Sequence, residues 1–130
     1  MIKLIIFDLD GVLVDARELH YNALNKALGS IDEKYVISRD EHLSTYDGLS
    51  TTKKLNMLTH NKGLSEELHN TVWKLKQKMT IEIIDGFSAD DRIRSIVRSF
   101  KSDGYMVACA TNSIRETAKL QLIRKGFFEY

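Results

Sequence analysis

Two short apolar runs lie far apart along the chain, and the segments between them have helical periodicity. The first run covers residues 2–7 and is rich in β-branched side chains, and the second covers residues 105–110. Continuous apolar runs of this length predict strands that are buried on both faces of a parallel sheet. Parallel strands need long crossover connections, so the pattern predicts an α/β core.

Residues 16 to about 80 carry apolar side chains at helical spacing. Their polar flanks contain the usual signals for helix ends: a Ser or Thr cap, a Glu three residues later, and a terminating Gly. The predicted boundaries are a first helix over 16–28 stopped by Gly29, a short helix opened by Ser38 and Glu41, a helix opened by Ser50 or Thr51 and stopped by Gly63, and the longest helix opened by Ser65. Because these helices are too many for one crossover, we expect a separate helical lobe inserted after the first strand.

The last third of the chain returns to the α/β pattern. A helix with apolar residues from Ile93 to Phe100 should precede the second strand, and a further helix should follow it. Ser113 and Glu116 have the spacing of a capping box for that helix, and Gly126 should end it. The predicted fold is therefore a partial Rossmann-like parallel-sheet core, 1–15 with 82–130, and an α-helical insertion, 16–81.

Composition narrows the classes of protein. The chain has 130 residues, 19 Lys plus Arg, 18 Asp plus Glu, one Cys and no Pro. A single Cys cannot form an intramolecular disulfide framework, and the balanced charge gives no basic field for nucleic acid. The apolar run behind Lys3 is too short for a signal peptide or a membrane span. We expect a cytoplasmic protein with no nucleic-acid or membrane partner; the sequence says nothing about its oligomeric state.

Polar residues follow directly after both predicted strands. Asp8 and Asp10 follow the first, and Thr111, Asn112 and Ser113 follow the second. Ligands of open α/β sheets bind at the carboxyl ends of the strands, where two nearby carboxylates suit Mg²⁺ and a hydroxyl beside a helix start suits an anion. Together these residues favour a phosphate site with Mg²⁺. Taken alone, residues 8–11 could be an ordinary turn after a strand, and residues 111–113 could be an ordinary helix cap.

These residues carry a family resemblance. Residues 7–15, FDLDGVLVD, resemble the first motif of the haloacid dehalogenase-like (HAD) hydrolase superfamily, and residues 110–113, ATNS, resemble its second. The stretches 19–28, 48–50 and 124–130 are similar to members with a small helical cap, such as β-phosphoglucomutase-like phosphatases. The resemblance implies a core like the one predicted above, with residues 16–81 as the cap.

The resemblance also implies roles for individual residues. Asp8 would attack phosphorus and form an aspartyl-phosphate, and Asp10 would act as general acid and base. Asp8 and Asp10 would hold Mg²⁺, while Thr111 and Asn112 would bind the phosphoryl group of a small phosphorylated substrate. In the cap, His20 would act at the hinge, and Gly48 with Ser50 would lie in the substrate loop.

Two departures from the family pattern keep alternatives open. Thr51 stands where mutase-like members have an arginine, which favours a phosphatase over a phosphosugar mutase. The expected Lys and a further acid of the family come from strands beyond Tyr130, so an inactive fragment or truncated interaction module is the rival interpretation. One of the cap lysines Lys74, Lys76 and Lys78 could stand in for that Lys if the lobe closes, but they belong to a polar helix, where a solvated face is the stronger expectation. A receiver domain is disfavoured by the long helical insertion.

Overall fold

The structure, a computed structural model, describes residues 1–127. Within that range it contains two β-strands and six α-helices, connected by short 3₁₀ and π turns. In chain order they are β1 (Leu4–Asp8), α1 (Arg17–Ile31), α2 (Arg39–Glu41), α3 (Thr51–Lys62), α4 (His69–Asp85), α5 (Asp91–Ser102), β2 (Met106–Ala110) and α6 (Arg115–Lys125). None of the helices in this range is long and apolar enough to cross a membrane.

The two strands form a parallel pair, as predicted. Their register runs from Leu4 beside Met106 to Asp8 beside Ala110, so the carboxyl ends of the strands are level. With helices before and after β2, this pair is a partial Rossmann-like α/β core, and the prediction of fold class is confirmed. The level strand ends bring the two polar segments that follow them to the same edge of the sheet.

The chain divides into two compact units, which we describe separately. One consists of Met1–Leu19 and Ile81–Tyr130 and is called the α/β unit; the other, His20–Thr80, is called the helical unit. The domain assignment made from the sequence, 1–15 with 82–130 and 16–81, stays a prediction.

The helical unit has a continuous apolar core. Its fully buried members come from α1, α3, α4 and the segments between them, and they include Leu28, Ile37, Leu58, Leu64 and Val72. Local signals set several of its helix ends as predicted: the Ser38 and Glu41 side chains form a reciprocal capping box, and Ser50 caps α3. Gly63 ends α3 at a φ of 72°.

Two predicted helix boundaries in this region are wrong. Gly29 does not stop α1, which continues to Ile31, because Gly29 does not adopt the positive φ with which a glycine ends a helix. Ser65 makes no capping hydrogen bond, because a 3₁₀ turn over Glu66–Leu68 separates it from α4.

The α/β unit has a smaller core on one side of its sheet. Phe7, Val107 and Cys109 pack into a cluster with Val97 of α5 and Ala118 of α6. The opposite face exposes Leu4, Ile6 and Met106, at 44%, 60% and 59% of their surface. The expectation of strands buried on both faces is therefore wrong for the part of the chain that is described, because α5 and α6 pack on the same side.

Candidate active site

The turn after β1 is held by its own backbone. The carbonyl of Leu9 accepts hydrogen bonds from the N–H groups of Leu13 and Val14, both at 3.0 Å, and Gly11 N–H donates to the Val14 carbonyl at 2.7 Å. Leu9 is completely buried, whereas Gly11 has a φ of 79°, a conformation that side chains with a Cβ rarely adopt. The buried Leu9 and the hydrogen bonds of the turn hold the backbone on both sides of Asp10, so they fix its position.

Asp8 is the last residue of β1 and is exposed at the edge of the sheet. Its Oδ1 accepts a hydrogen bond from Leu9 N–H at 2.7 Å, and its backbone lies beside Ala110 of β2. The hydrogen bond to the next residue orients the carboxylate through Oδ1. The geometry suits a nucleophile that is held by its own backbone.

The segment after β2 meets this turn through Ser113. Ser113 Oγ donates to Asp10 Oδ2 at 3.0 Å, and Ser113 N–H donates to Thr111 Oγ1 at 3.1 Å. Asp10 and Ser113 are 103 residues apart in the sequence. The sequence-predicted residues Asp8, Asp10 and Thr111 are thus brought to one edge of the sheet, with Asn112 exposed between Thr111 and Ser113.

The role of Ser113 corrects a prediction. The sequence assigned it to cap the last helix with Glu116, but α6 begins after Ile114 and has no side-chain cap. The Ser113 hydroxyl bonds to Asp10 instead. Capping spacing is a local signal, and it could not reveal a partner from the other strand end.

The carboxylates act electrostatically on the neighbouring strand. Burial raises the pKa of the Cys109 thiol, and the charges of Asp8 and Asp10 raise it further. A thiol held protonated in this way is a poor nucleophile. Cys109 instead packs against the apolar cluster of the α/β unit.

The remaining predicted site residues belong to the helical unit. His20 lies half-buried on α1. Gly48, at a φ of 76°, forms the turn before α3, and Ser50 Oγ accepts from Lys53 N–H at 3.3 Å as the cap of that helix. Their part in substrate binding stays a prediction, as do the catalytic and phosphate-binding roles of the residues in the α/β unit.

The donor set at the strand ends limits the metals that fit. In the described range no group of three or more His, Cys, Asp or Glu side chains could hold a metal ion. The exposed Asp8 carboxylate, with the half-buried Asp10 two residues later, would nevertheless suit Mg²⁺, because this ion keeps several waters and takes one or two protein carboxylates together with substrate phosphate. The residues present would not suffice for a closed structural site such as that of zinc.

The helical unit contains further polar residues that sequence reasoning missed. Lys76, expected on a solvated face, is only 7% exposed and donates to Thr51 Oγ1 at 2.7 Å. Lys54, on α3, is only 6% exposed. The sequence could not predict the burial of these lysines, because it depends on how α3 packs on α4.

Comparisons with known proteins agree with the fold. The structure is similar to the crystal structure of a CbbY mutant from Rhodobacter sphaeroides in complex with xylulose-1,5-bisphosphate, with a TM-score of 0.78 and 17% sequence identity. The match covers 95% of this chain and 57% of that chain, so the chain spans little more than half of that protein. A comparison with curated protein sequences gives no match. The sequence model of the haloacid dehalogenase-like hydrolases matches residues 5–130, and the chain belongs to this family.

Proposed function

We propose that the protein is a phosphatase that hydrolyses a small phosphomonoester through an aspartyl-phosphate on Asp8. The observation that carries the proposal is the 3.0 Å hydrogen bond between Ser113 and Asp10. It joins the polar turn after β1 to the polar segment after β2, so that a carboxylate nucleophile, a second acid and an anion-binding hydroxyl share one edge of the sheet. Membership of a hydrolase family agrees with this chemistry.

In the first step, a carboxylate oxygen of Asp8 attacks phosphorus and the bond to the leaving oxygen breaks. Asp10, as the carboxylic acid, donates its proton to the leaving oxygen. In the second step, Asp10 takes a proton from water, which attacks phosphorus, releases inorganic phosphate and restores Asp8. Because a hydroxyl can donate to a carboxylate and accept from a carboxylic acid, Ser113 can hold Asp10 in both protonation states.

Thr111 and the start of α6 would receive the phosphoryl oxygens. The Thr111 hydroxyl accepts from Ser113 N–H and keeps its own hydrogen for donation. Helix α6 has no side-chain cap at its N-terminus, so its first N–H groups and partial positive charge favour an anion. The Asp8 carboxylate and Asp10 would hold Mg²⁺, which when bound supplies positive charge against the phosphoryl oxygens.

The test is phosphate release from a panel of small phosphomonoesters with Mg²⁺, for the wild type and for Asp8→Asn. Loss of the nucleophile should lower kcat by at least about 1,000-fold. Asp103→Asn removes a carboxylate of the same unit at the end of α5 and should leave the rate unchanged. A phosphoryl adduct on the peptide that contains Asp8, seen by mass spectrometry after rapid acid quench, would identify the intermediate.

Equal turnover by Asp8→Asn and the wild type would contradict the assignment of Asp8 as the nucleophile. Another group would then have to attack phosphorus or activate water for the attack. The second candidate function is an inactive interaction module, which the exposed Leu4, Ile6 and Met106 favour because such a face suits a protein partner. No phosphate release by the wild type on any substrate, with intact folding, would support that candidate.

A further inference from the structure

His42 is a buried histidine of the helical unit that the proposed reaction does not use. It is only 5% exposed, and the centroid of its ring lies 4.7 Å from that of Tyr21 on α1. The Tyr21 hydroxyl donates to the Ile37 carbonyl at 3.0 Å, which holds the tyrosine ring in turn. His42 therefore has a fixed position, and histidine is the side chain whose charge ordinarily changes between about pH 5 and pH 8.

A π turn brings Asp47 to this histidine. On an α-helix the neighbouring side chains are three or four residues apart, so residues 42 and 47 would not face each other. The chain forms a π turn over His42–Tyr46 instead, and the Asp47 N–H donates to the His42 carbonyl at 2.7 Å. Asp47 Oδ1 lies 3.8 Å from His42 Nε2. Isolated π turns are rare in proteins and are often found at functional sites.

Asp47 also belongs to the tight turn that follows. The Leu49 N–H donates to the Tyr46 carbonyl at 3.2 Å, and Asp47 and Gly48 occupy the two central positions, with φ angles of −59° and 76°. These are the φ angles of a type II turn. The Asp47 side chain is 46% exposed, whereas the His42 side chain is 7% exposed. Asp47 is therefore the partner that can move, and a change in its attraction to His42 acts on the turn.

The charged and titratable groups around this pair come from α1, α2 and α3 in the described part of the chain. The His42 ring meets Tyr21 of α1 and the Asp47 carboxylate. The Arg39 guanidinium of α2 lies 5.0 Å from the centroid of the Tyr21 ring. Burial lowers the pKa of Lys54 on α3, and the charge of Asp47 partly opposes that shift. A proton on His42 thus gains the attraction of one carboxylate and one aromatic face, and each of these two partners also interacts with one permanent cation.

We propose that His42 and Asp47 form a proton-dependent clasp on the turn before α3. When the imidazole is protonated, it attracts the Asp47 carboxylate and holds the turn against the buried ring. When the imidazole is neutral, this attraction is lost, and the turn keeps its backbone hydrogen bonds from the Asp47 and Leu49 N–H groups. The turn is therefore more ordered at about pH 5 than at about pH 8. The clasp lies within the helical unit and does not depend on the proposed phosphatase activity.

The experiment is a pH titration of the full ¹⁵N- and ¹³C-labelled chain, followed by NMR. The ring signals of His42 and the amides of Gly48 and Leu49 should titrate with one midpoint, and the heteronuclear NOE of Gly48 should fall as the pH rises through it. His42→Phe keeps a ring against Tyr21 but has no titrating group, so the amide titration should be lost. Titration of these amides in His42→Phe, or titration of His42 without a change at Gly48 and Leu49, would overturn the proposal.

Matched variants separate the clasp from general effects of pH. Asp47→Asn removes the attracted charge and should abolish the fall in the Gly48 NOE, whereas Asp40→Asn removes an exposed carboxylate of α2 and should leave it unchanged. His60→Phe replaces an exposed histidine of α3 and should leave the Gly48 titration unchanged. The dispersion of the amide spectrum reports the folding of each variant in the same samples. A wild-type response in Asp47→Asn would overturn the clasp even if His42→Phe did not fold.

A kinetic arm connects the clasp with substrate binding, and this arm alone rests on the proposed phosphatase. If the turn contacts the substrate, as expected for Gly48 and Ser50, KM should be lower at about pH 6 than at about pH 8. His42→Phe should remove this difference and leave the pH profile of kcat, which follows Asp10, unchanged. An unchanged KM difference in His42→Phe, beside the expected NMR result, would keep the clasp and contradict the substrate contact of the turn.

Discussion

The two units differ in how many apolar side chains they bury. The helical unit encloses a core of ten fully or nearly fully buried apolar residues contributed by several helices and turns. Among the described residues of the α/β unit, up to Phe127, the buried apolar cluster has six members and one face of the sheet is exposed. The proposed catalytic carboxylates lie in the unit with the smaller core, at the strand ends. The larger buried apolar core and the proposed catalytic residues therefore lie in different parts of the chain.

The difference has a geometric cause. An amphipathic helix has one apolar face, which it can bury against two neighbouring helices. A strand has side chains on two faces, and each face has to be covered separately. Parallel strands usually need helices on both faces. In the described residues of the α/β unit, α5 and α6 cover the face of Phe7 and Val107, and Ile6 and Met106 on the other face stay exposed. This contrast predicts how substitutions in each unit should act.

The largest effect is expected in the core of the helical unit. Leu58 of α3 is completely buried, so Leu58→Ala should lower the free energy of unfolding by about 2–5 kcal/mol through lost burial and a cavity. Trp73, the single Trp of the chain, lies in this unit, so its fluorescence during urea unfolding follows it selectively.

Leu43→Ala is the matched control for this prediction. Leu43 is 62% exposed, and its truncation should change stability by less than about 0.5 kcal/mol. Equal losses for the two variants would mean that the helical unit does not have the well-packed core described here, and the comparison between the units would fail.

The helices of the helical unit were largely predictable because their end signals are local. The Ser38 and Glu41 capping box, the Ser50 cap and Gly63 at the end of α3 each depend on residues within a few positions. Gly29 misled the prediction because a glycine ends a helix where it adopts a positive φ, as Gly63 does, and Gly29 does not adopt one. Local sequence does not show which conformation a glycine takes.

The candidate site was predictable in its carboxylates and less so in its supporting groups. Asp8 and Asp10 follow a strand that the apolar run marks clearly. The bond from Ser113 to Asp10, and the burial of Lys54 and Lys76, depend on residues that are distant in sequence or on the packing of two helices. Such contacts need the register of the strands and the faces of the helices, which no local pattern specifies.

An intermediate effect is expected from a polar contact inside the helical unit. Asn25 of α1 donates to the Ile37 carbonyl at 2.8 Å and accepts from the Ile37 N–H at 2.9 Å, and so satisfies both backbone groups of a residue outside any helix. The Ile37 carbonyl also accepts from the Tyr21 hydroxyl at 3.0 Å. Asn25→Ala should therefore cost about 1–3 kcal/mol, since it leaves the Ile37 N–H without this partner while the carbonyl keeps Tyr21.

The control is Asn22→Ala, which removes the same amide from an exposed position on the same helix. Its effect on the Trp73 unfolding curve should stay within about 0.5 kcal/mol. If Asn25→Ala were as mild as Asn22→Ala, water would replace the lost partner, and the segment around Ile37 would be more open than its 1% exposure indicates.

The smallest effect is expected on the open face of the sheet. Ile6 is 60% exposed, so Ile6→Thr, which keeps the β-branched shape that strands favour, should change stability by less than about 0.5 kcal/mol.

Val107→Thr makes a similar change on the covered face, beside Phe7 and Cys109, and should cost about 1–3 kcal/mol because it buries a hydroxyl. Hydrogen exchange of the β2 amides measures both variants in the unit where they lie. Equal and large losses of stability in the two variants would show that the Ile6 face is buried in solution. The two units would then differ in how much of the sheet is exposed, and not in how well their cores are packed.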